Sequence, residues 1–298
     1  MAKIFDYKCT FLDNVQIDDS ILNEAQITFP NVHKEAKLIV DYAKLVKKIT
    51  NVGFVEVPFC HTVEAEAFGA IINYGDKITG PRVKEFAYKE INEILNINDI
   101  DFSSGRISEV IKAVKMLCDD GYDVVYEITG PYTILNNLID TATLFKTVRK
   151  DRELMKKVYN YLGNNLYEFI KVLFEKGVKY ISFADSAAAV GIIGPKITKE
   201  YVEDFIYDFV KKLVELAKEY SAMILLCPRI TFALYSMDLV KFNNLILPNE
   251  MQYFEALKSN IDKIKLSGQM CIKNRNYVLK PALIKEIVFT DNDVNAIK

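Results

Sequence analysis

The stretch KYISFADSA at residues 179–187 decides the fold: a strand-length apolar run, 179–184, breaks off at Asp185 and Ser186, and an amphipathic helical pattern follows. The same order recurs along the chain, and alternation of this kind marks βα units around a parallel sheet. Candidate strands lie at 53–58 (GFVEVP), 70–74 (AIINY), 123–128 (DVVYEI), 179–184 (KYISFA), 222–227 (AMILLC), 244–247 (NLIL), 263–266 (KIKL) and 286–290 (EIVFT). Eight runs suit an α/β fold of the TIM (β/α)8 barrel type. The competing dinucleotide-binding fold needs G-x-G-x-x-G after a strand, and the sequence contains neither that motif nor a P-loop.

Between the runs, residues 107–118 (ISEVIKAVKMLC) place Ile107, Ile111, Val114 and Leu117 or Cys118 on one stripe, and 197–220 continues in the same way. Gly121, Gly177 and Gly268 punctuate element ends. No linker-like, repeated or low-complexity tract divides the chain. The expectation is a single barrel domain over 1–298, with 1–50 as an N-terminal helical extension.

Composition narrows the functional classes. Of 298 residues, 50% are hydrophobic and 26% charged, the proportions of a globular protein. Lys+Arg 38 against Asp+Glu 40 gives a net charge of -2, so no electrostatic footprint for nucleic acid or an anionic membrane is expected. No run approaches the roughly 20 apolar residues of a membrane span. Residues 1–20 carry four aspartates and no apolar core of a signal peptide, which points to a cytoplasmic protein. Five scattered cysteines argue against a disulfide framework and for reduced thiols.

A barrel carries its site at the C-terminal ends of its strands. There stand Cys60, His61, Glu64 and Glu66 after the first run, Gly130 and Tyr132 after the third, Asp185 and Ser186 after the fourth, Cys227 after the fifth, and Cys271 and Lys273 after the seventh. Cys227 and Cys271 on two strand ends are candidates for converging zinc thiolates, with His61 the candidate imidazole. His33 reads as the solvated start of a helix without function. Asp185 reads either as a helix N-cap or as a carboxylate holding a polar group of a substrate.

The segments 62–69 (TVEAEAFG), 129–135 (TGPYTIL), 184–187 (ADSA) and 193–197 (IGPKI), with the Cys227 segment, resemble the uroporphyrinogen decarboxylase superfamily, and most closely its methylcobalamin:coenzyme M methyltransferase branch. The resemblance covers roughly residues 52–289 and implies a TIM barrel. The decarboxylase branch has an M-R-Q-A-G-R segment near its start, whereas the first 50 residues here hold no arginine, and Cys60-His61 occupies the neighbourhood of its aspartate. The methyltransferase branch holds zinc with H-x-C and a later cysteine; this chain reads Leu225-Leu226-Cys227, so its imidazole position is a leucine.

The resemblance therefore implies a zinc-dependent enzyme moving a methyl group between a methylated corrinoid and a thiol. Its metal ligands would be Cys227, Cys271 and His61, with Cys60 or Glu66 as other replacements for the lost histidine and Glu64 or Glu66 as an exchangeable ligand. Glu66, Asp185 and Tyr132 would be catalytic, and Gly130, Asp185 and Ser186 would line the cofactor site. No cobalamin-binding D-x-H-x-x-G segment occurs, which implies a separate corrinoid protein as methyl donor, with a small thiol as acceptor. A decarboxylase-like lyase and a non-catalytic corrinoid- or metal-binding module are the alternatives.

Overall fold

The computed structural model describes residues 15–290. Its strands are β1 (Val55–Val57), β2 (Ile71–Asn73), β3 (Arg82–Glu85), β4 (Val124–Thr129), β5 (Tyr180–Ala184), β6 (Met223–Leu226), β7 (Val240–Ile246), β8 (Leu266–Ser267) and β9 (Leu283–Phe289). The helices are α1 (Asp19–Glu24), α2 (Ala36–Thr50), α3 (Val63–Ala67), α4 (Gly105–Asp119), α5 (Pro131–Leu138), α6 (Thr141–Lys150), α7 (Arg152–Glu175), α8 (Val190–Tyr201), α9 (Tyr207–Glu219), α10 (Pro228–Ser236) and α11 (Tyr253–Ser259). Within the N-terminal extension, α2 buries Ile39, Val40, Ala43 and Val46 on one stripe and packs on α4 and β1.

Five strands form one parallel sheet in the order β1-β4-β5-β6-β8. All their residues are buried, so both faces are covered. That is why these strands read as largely apolar runs instead of alternating ones, with Glu56 and Glu127 as charged interruptions. The α/β barrel-type wall is as expected, and among the described residues its continuous hydrogen bonding runs through these five strands.

Three of the expected wall strands pair elsewhere. The run at 70–74 forms β2, an exposed antiparallel hairpin with β3. The runs at 244–247 and 286–290 fall in β7 and β9, which pair antiparallel from Val240↔Phe289 to Ile246↔Leu283. A wall strand must be buried on both faces, but β7 carries Lys241, Asn243 and Asn244 exposed. It therefore forms a two-stranded ribbon with one wet face.

The sheet faces have different partners. Val57, Tyr126, Ile128, Phe183 and Ile224 face the outer helices, with Tyr126 edge-on to Phe169 of α7 and Phe183 beside Phe209 of α9. Val125, Tyr180, Met223 and Leu225 face the other way, against Tyr253, Phe254 and Leu257 of α11 and against Met270, Ile272 and Leu279 of the loop after β8. The segment from α11 to β9 thus fills the inner face, which in a closed barrel is filled by layers of wall side chains. Phe254 is the centre of this plug: its ring lies 4.7 Å from Phe54 and 5.0 Å from Tyr180. Replacing Phe254 by Ala is expected to destabilise the fold by about 3–5 kcal/mol. Urea unfolding checks this, and an unchanged midpoint would show that the plug does not hold the sheet.

Candidate active site at the strand ends

The first group at the rim is ionic. Glu56 of β1 and Glu127 of β4 are each 5% exposed, and both extend from the inner face. The ammonium of Lys273, itself 6% exposed, lies 2.9 Å from Glu127 and 3.7 Å from Glu56, while Arg275 reaches the other Glu56 oxygen at 2.6 Å. His61, more open to solvent, sets Nδ1 3.2 Å from Glu127 Oε1. Loops after β1 and β8 thus meet over two wall carboxylates.

The second group centres on Arg106 of α4. Its guanidinium donates to Cys60 Sγ at 2.6 Å, to Glu66 at 2.9 Å, to the Thr62 hydroxyl at 3.1 Å and to the His33 carbonyl at 2.8 Å. Glu66 also accepts from the Tyr74 hydroxyl. Glu66, expected to be catalytic, is therefore committed to an ion pair with a buried arginine, its own side chain half-buried. His33 is corrected: it is 3% exposed, and burial followed by the neighbouring Arg106 pushes its pKa down to about 3, so it is a neutral core group and not a solvated one.

Asp185 anchors the third group. Its carboxylate accepts the N–H groups of Tyr132 and Thr133 at 3.0 and 2.7 Å, the Thr133 hydroxyl at 2.6 Å and the Tyr201 hydroxyl at 2.5 Å. Burial raises its pKa, against the pull of these donors. The carboxylate caps the N-terminus of α5, the helix that follows the neighbouring strand β4, instead of the helix that follows its own strand. Gly130 is required beside it, since a Cβ there would stand 2.6 Å from the Asp185 side chain. Tyr132 meets Tyr201 edge-on, and its hydroxyl is buried without a hydrogen-bond partner. Ser186 gives its carbonyl to Arg229 at 3.1 Å.

Cys227 caps α10 at the end of β6, next to a groove of about 470 Å³ lined by Ala189, Val190, Gly191, Ile192, Pro228, Arg229 and Phe232. A larger cleft of about 1070 Å³ lies among α7, α9 and β9, away from the strand-end groups. Cys271 is half-buried in the loop after β8. Among the described residues no three His, Cys, Asp or Glu side chains form a group able to hold a metal ion, so Cys227, Cys271 and His61 are not gathered into a ligand set. The Cys60 thiol has a close cationic partner in the Arg106 guanidinium.

Sequence reading passed over Arg106, which sits 46 residues from Cys60, and gave Glu127 and Lys273 no role. Their only signal was charge inside otherwise apolar segments. Glu64, expected with Glu66 as an exchangeable metal ligand, is fully buried, 3.5 Å from the Tyr126 hydroxyl and 3.4 Å from the Thr129 N–H. Its second oxygen has no partner, and neither has the Thr129 hydroxyl. Burial pushes its pKa up to about 7, against weaker pulls from backbone donors, Thr129 and His61. As pH rises from the ordinary 4.5 toward 7, the unfolded carboxyl ionises before the folded one, so this group's contribution to stability falls across that window. Glu64→Gln is expected to gain of order 3 kcal/mol over wild type at pH 8 and much less at pH 5. Urea melts at both values check this, and an equal difference at the two would refute it.

The uroporphyrinogen decarboxylase (URO-D) family model matches residues 18–273. Methylcobamide:CoM methyltransferase MtbA of Methanosarcina mazei is 24% identical over 247 residues, 81% of this chain and 71% of that protein. Methylcobamide:CoM methyltransferase MtaA of Methanosarcina barkeri is 21% identical over 285 residues, 88% of this chain and 83% of the relative. A solved methyltransferase from Methanosarcina mazei superposes with a TM-score of 0.62 at 20% identity, covering 76% of this chain and 66% of that one. The chain thus spans about two thirds of that structure, and the likeness concerns the fold. With the family model matching most of its length, the chain belongs to the uroporphyrinogen decarboxylase family, among relatives that are methyltransferases.

Proposed function

We propose that this protein is a corrinoid methyltransferase, carrying a methyl group from a methylated corrinoid, presented by a partner protein, to a small thiol. The observation that carries this reading over decarboxylation is the state of the rim arginines. Porphyrinogen decarboxylation needs cations that hold several substrate carboxylates. Here Arg106 is committed to Cys60 and Glu66, Arg275 to Glu56, and Arg229 to the Ser186 carbonyl. Named relatives that transfer methyl groups from methylcobamide support the same reading.

Among the described residues the zinc implied by the resemblance has no three-ligand group to hold it, so no step is assigned to it. What the rim does offer is a base. Glu127 holds Nδ1 of His61, an arrangement that orients an imidazole for proton transfer. His61 takes the proton of the acceptor S–H bond, the sulfur attacks the methyl carbon, and the cobalt–carbon bond breaks with its electron pair left on cobalt. Glu64, close enough for its charge to be felt by His61, is a second proton-carrying group near neutral pH. The groove beside Cys227, apolar except for Arg229, is the assigned place for the approach of the corrinoid face.

Methylcobalamin offered with a panel of small thiols is expected to lose its methyl group, read as the change in corrinoid absorbance, while uroporphyrinogen remains unconverted. His61→Ala is expected to slow demethylation by about 10²–10⁴-fold, with the loss largest at the pH where the wild type is fastest. Conversion of uroporphyrinogen to its four-times decarboxylated product, with methylcobalamin left intact, would overturn the reading.

A further inference from the structure

Strand register fixes one level of the inner face: Glu127 pairs with Ser182, Ser182 with Leu225, and Leu225 with Ser267. Leu225 is the position where the resemblance places a zinc-binding imidazole, and it is 3% exposed within the apolar inner cluster. The same level holds the Glu127 carboxylate, which has an ammonium on it. Lys273 lies between Glu127 and Glu56, and Arg275 completes the group on the far oxygen of Glu56. The two carboxylates and two cations cancel.

A divalent cation brought to the His61–Glu127 edge would meet both positive charges in surroundings where Coulomb interactions are weakly screened. Binding there would require displacing Lys273, leaving a buried ammonium without its partner. Loss of the imidazole and presence of the ammonium therefore act in the same direction. We propose that Lys273 is the resident cation of these strand ends, on the level of the sheet that also carries Leu225, and that the chain is built to fold and operate without bound zinc. The inference rests on the proposed methyl transfer only for the location of the site, since the charge group exists whatever reaction runs there.

The test is zinc affinity of the full chain with its cysteines reduced, measured by elemental analysis after dialysis against a chelator and by calorimetric titration with zinc chloride. Wild type is expected to retain no stoichiometric zinc. Lys273→Met leaves two buried carboxylates with one cation beside His61, and is expected to bind zinc roughly tenfold to a hundredfold more tightly than wild type. Lys273→Arg, which keeps the charge, is expected to stay at the wild-type level. About one zinc per chain retained by wild type and lost on Cys227→Ser or Cys271→Ser would overturn the proposal. So would Lys273→Met folding normally by circular dichroism with unchanged affinity; if that variant fails to fold, the wild-type zinc content still decides. Demethylation of methylcobalamin separates the two readings: activity appearing only on zinc addition overturns the role of Lys273 and leaves methyl transfer standing. Activity absent under both conditions counts against methyl transfer, while the titrations still decide for Lys273.

Discussion

Two glutamates on the inner face of a parallel sheet set the terms for the rest of the molecule. Glu56 and Glu127 sit among apolar neighbours, where an unpaired carboxylate costs several kcal/mol. Their partners come from Lys273 and Arg275, more than a hundred residues away in the chain. The loop after β8 must therefore cross the rim, and in doing so it carries Met270 and Ile272 onto the sheet. Charge pairing and apolar burial are thus met by one segment.

This arrangement has a consequence for the wall. Once α11 and the loop after β8 occupy the inner face, further parallel strands have no inner surface to cover. β7 and β9 instead pair with each other, using alternation suited to a ribbon with one solvated side. Ser267 donates to the Lys285 carbonyl and Gln269 accepts from the Lys285 N–H, so the ribbon is still tied to the end of the wall. The long cleft along α9 and β9 lies where the ribbon and the outer helices part.

Much of this was legible in the sequence, for a physical reason. β1, β4, β5 and β6 are buried on both faces, so each is an apolar run that can be read locally, and α4 declared itself through its stripe. The rule placing sites at strand ends led to Cys60, His61, Glu66, Asp185 and Cys227, and all of these do stand near the rim. Roles were harder, because they depend on partners that spacing does not reveal. Arg106 turns Glu66 from a free carboxylate into half of an ion pair, and Tyr201 and Thr133 turn Asp185 into a brace. The short runs at 70–74, 244–247 and 286–290 were ambiguous because a few apolar residues describe a ribbon as well as a wall strand.

The location of the resemblance also has a structural cause. TGPYTIL at 129–135 and ADSA at 184–187 are the two sides of the brace: Gly130 donates its N–H to the Ala184 carbonyl, and Asp185 caps the helix that begins at Pro131. A larger residue at 130 runs into Asp185, and removing the Asp185 charge leaves buried N–H donors unpaired. These positions are constrained by the closeness of β4 to β5, whatever chemistry the rim performs. Leu225 has no such constraint, since a leucine packs well beside Val125 and Met223. The brace that shapes the mouth and the charge group that stands in it are thus built from different residues, Gly130, Thr133, Asp185 and Tyr201 for the first and Glu56, Glu127, Lys273 and Arg275 for the second.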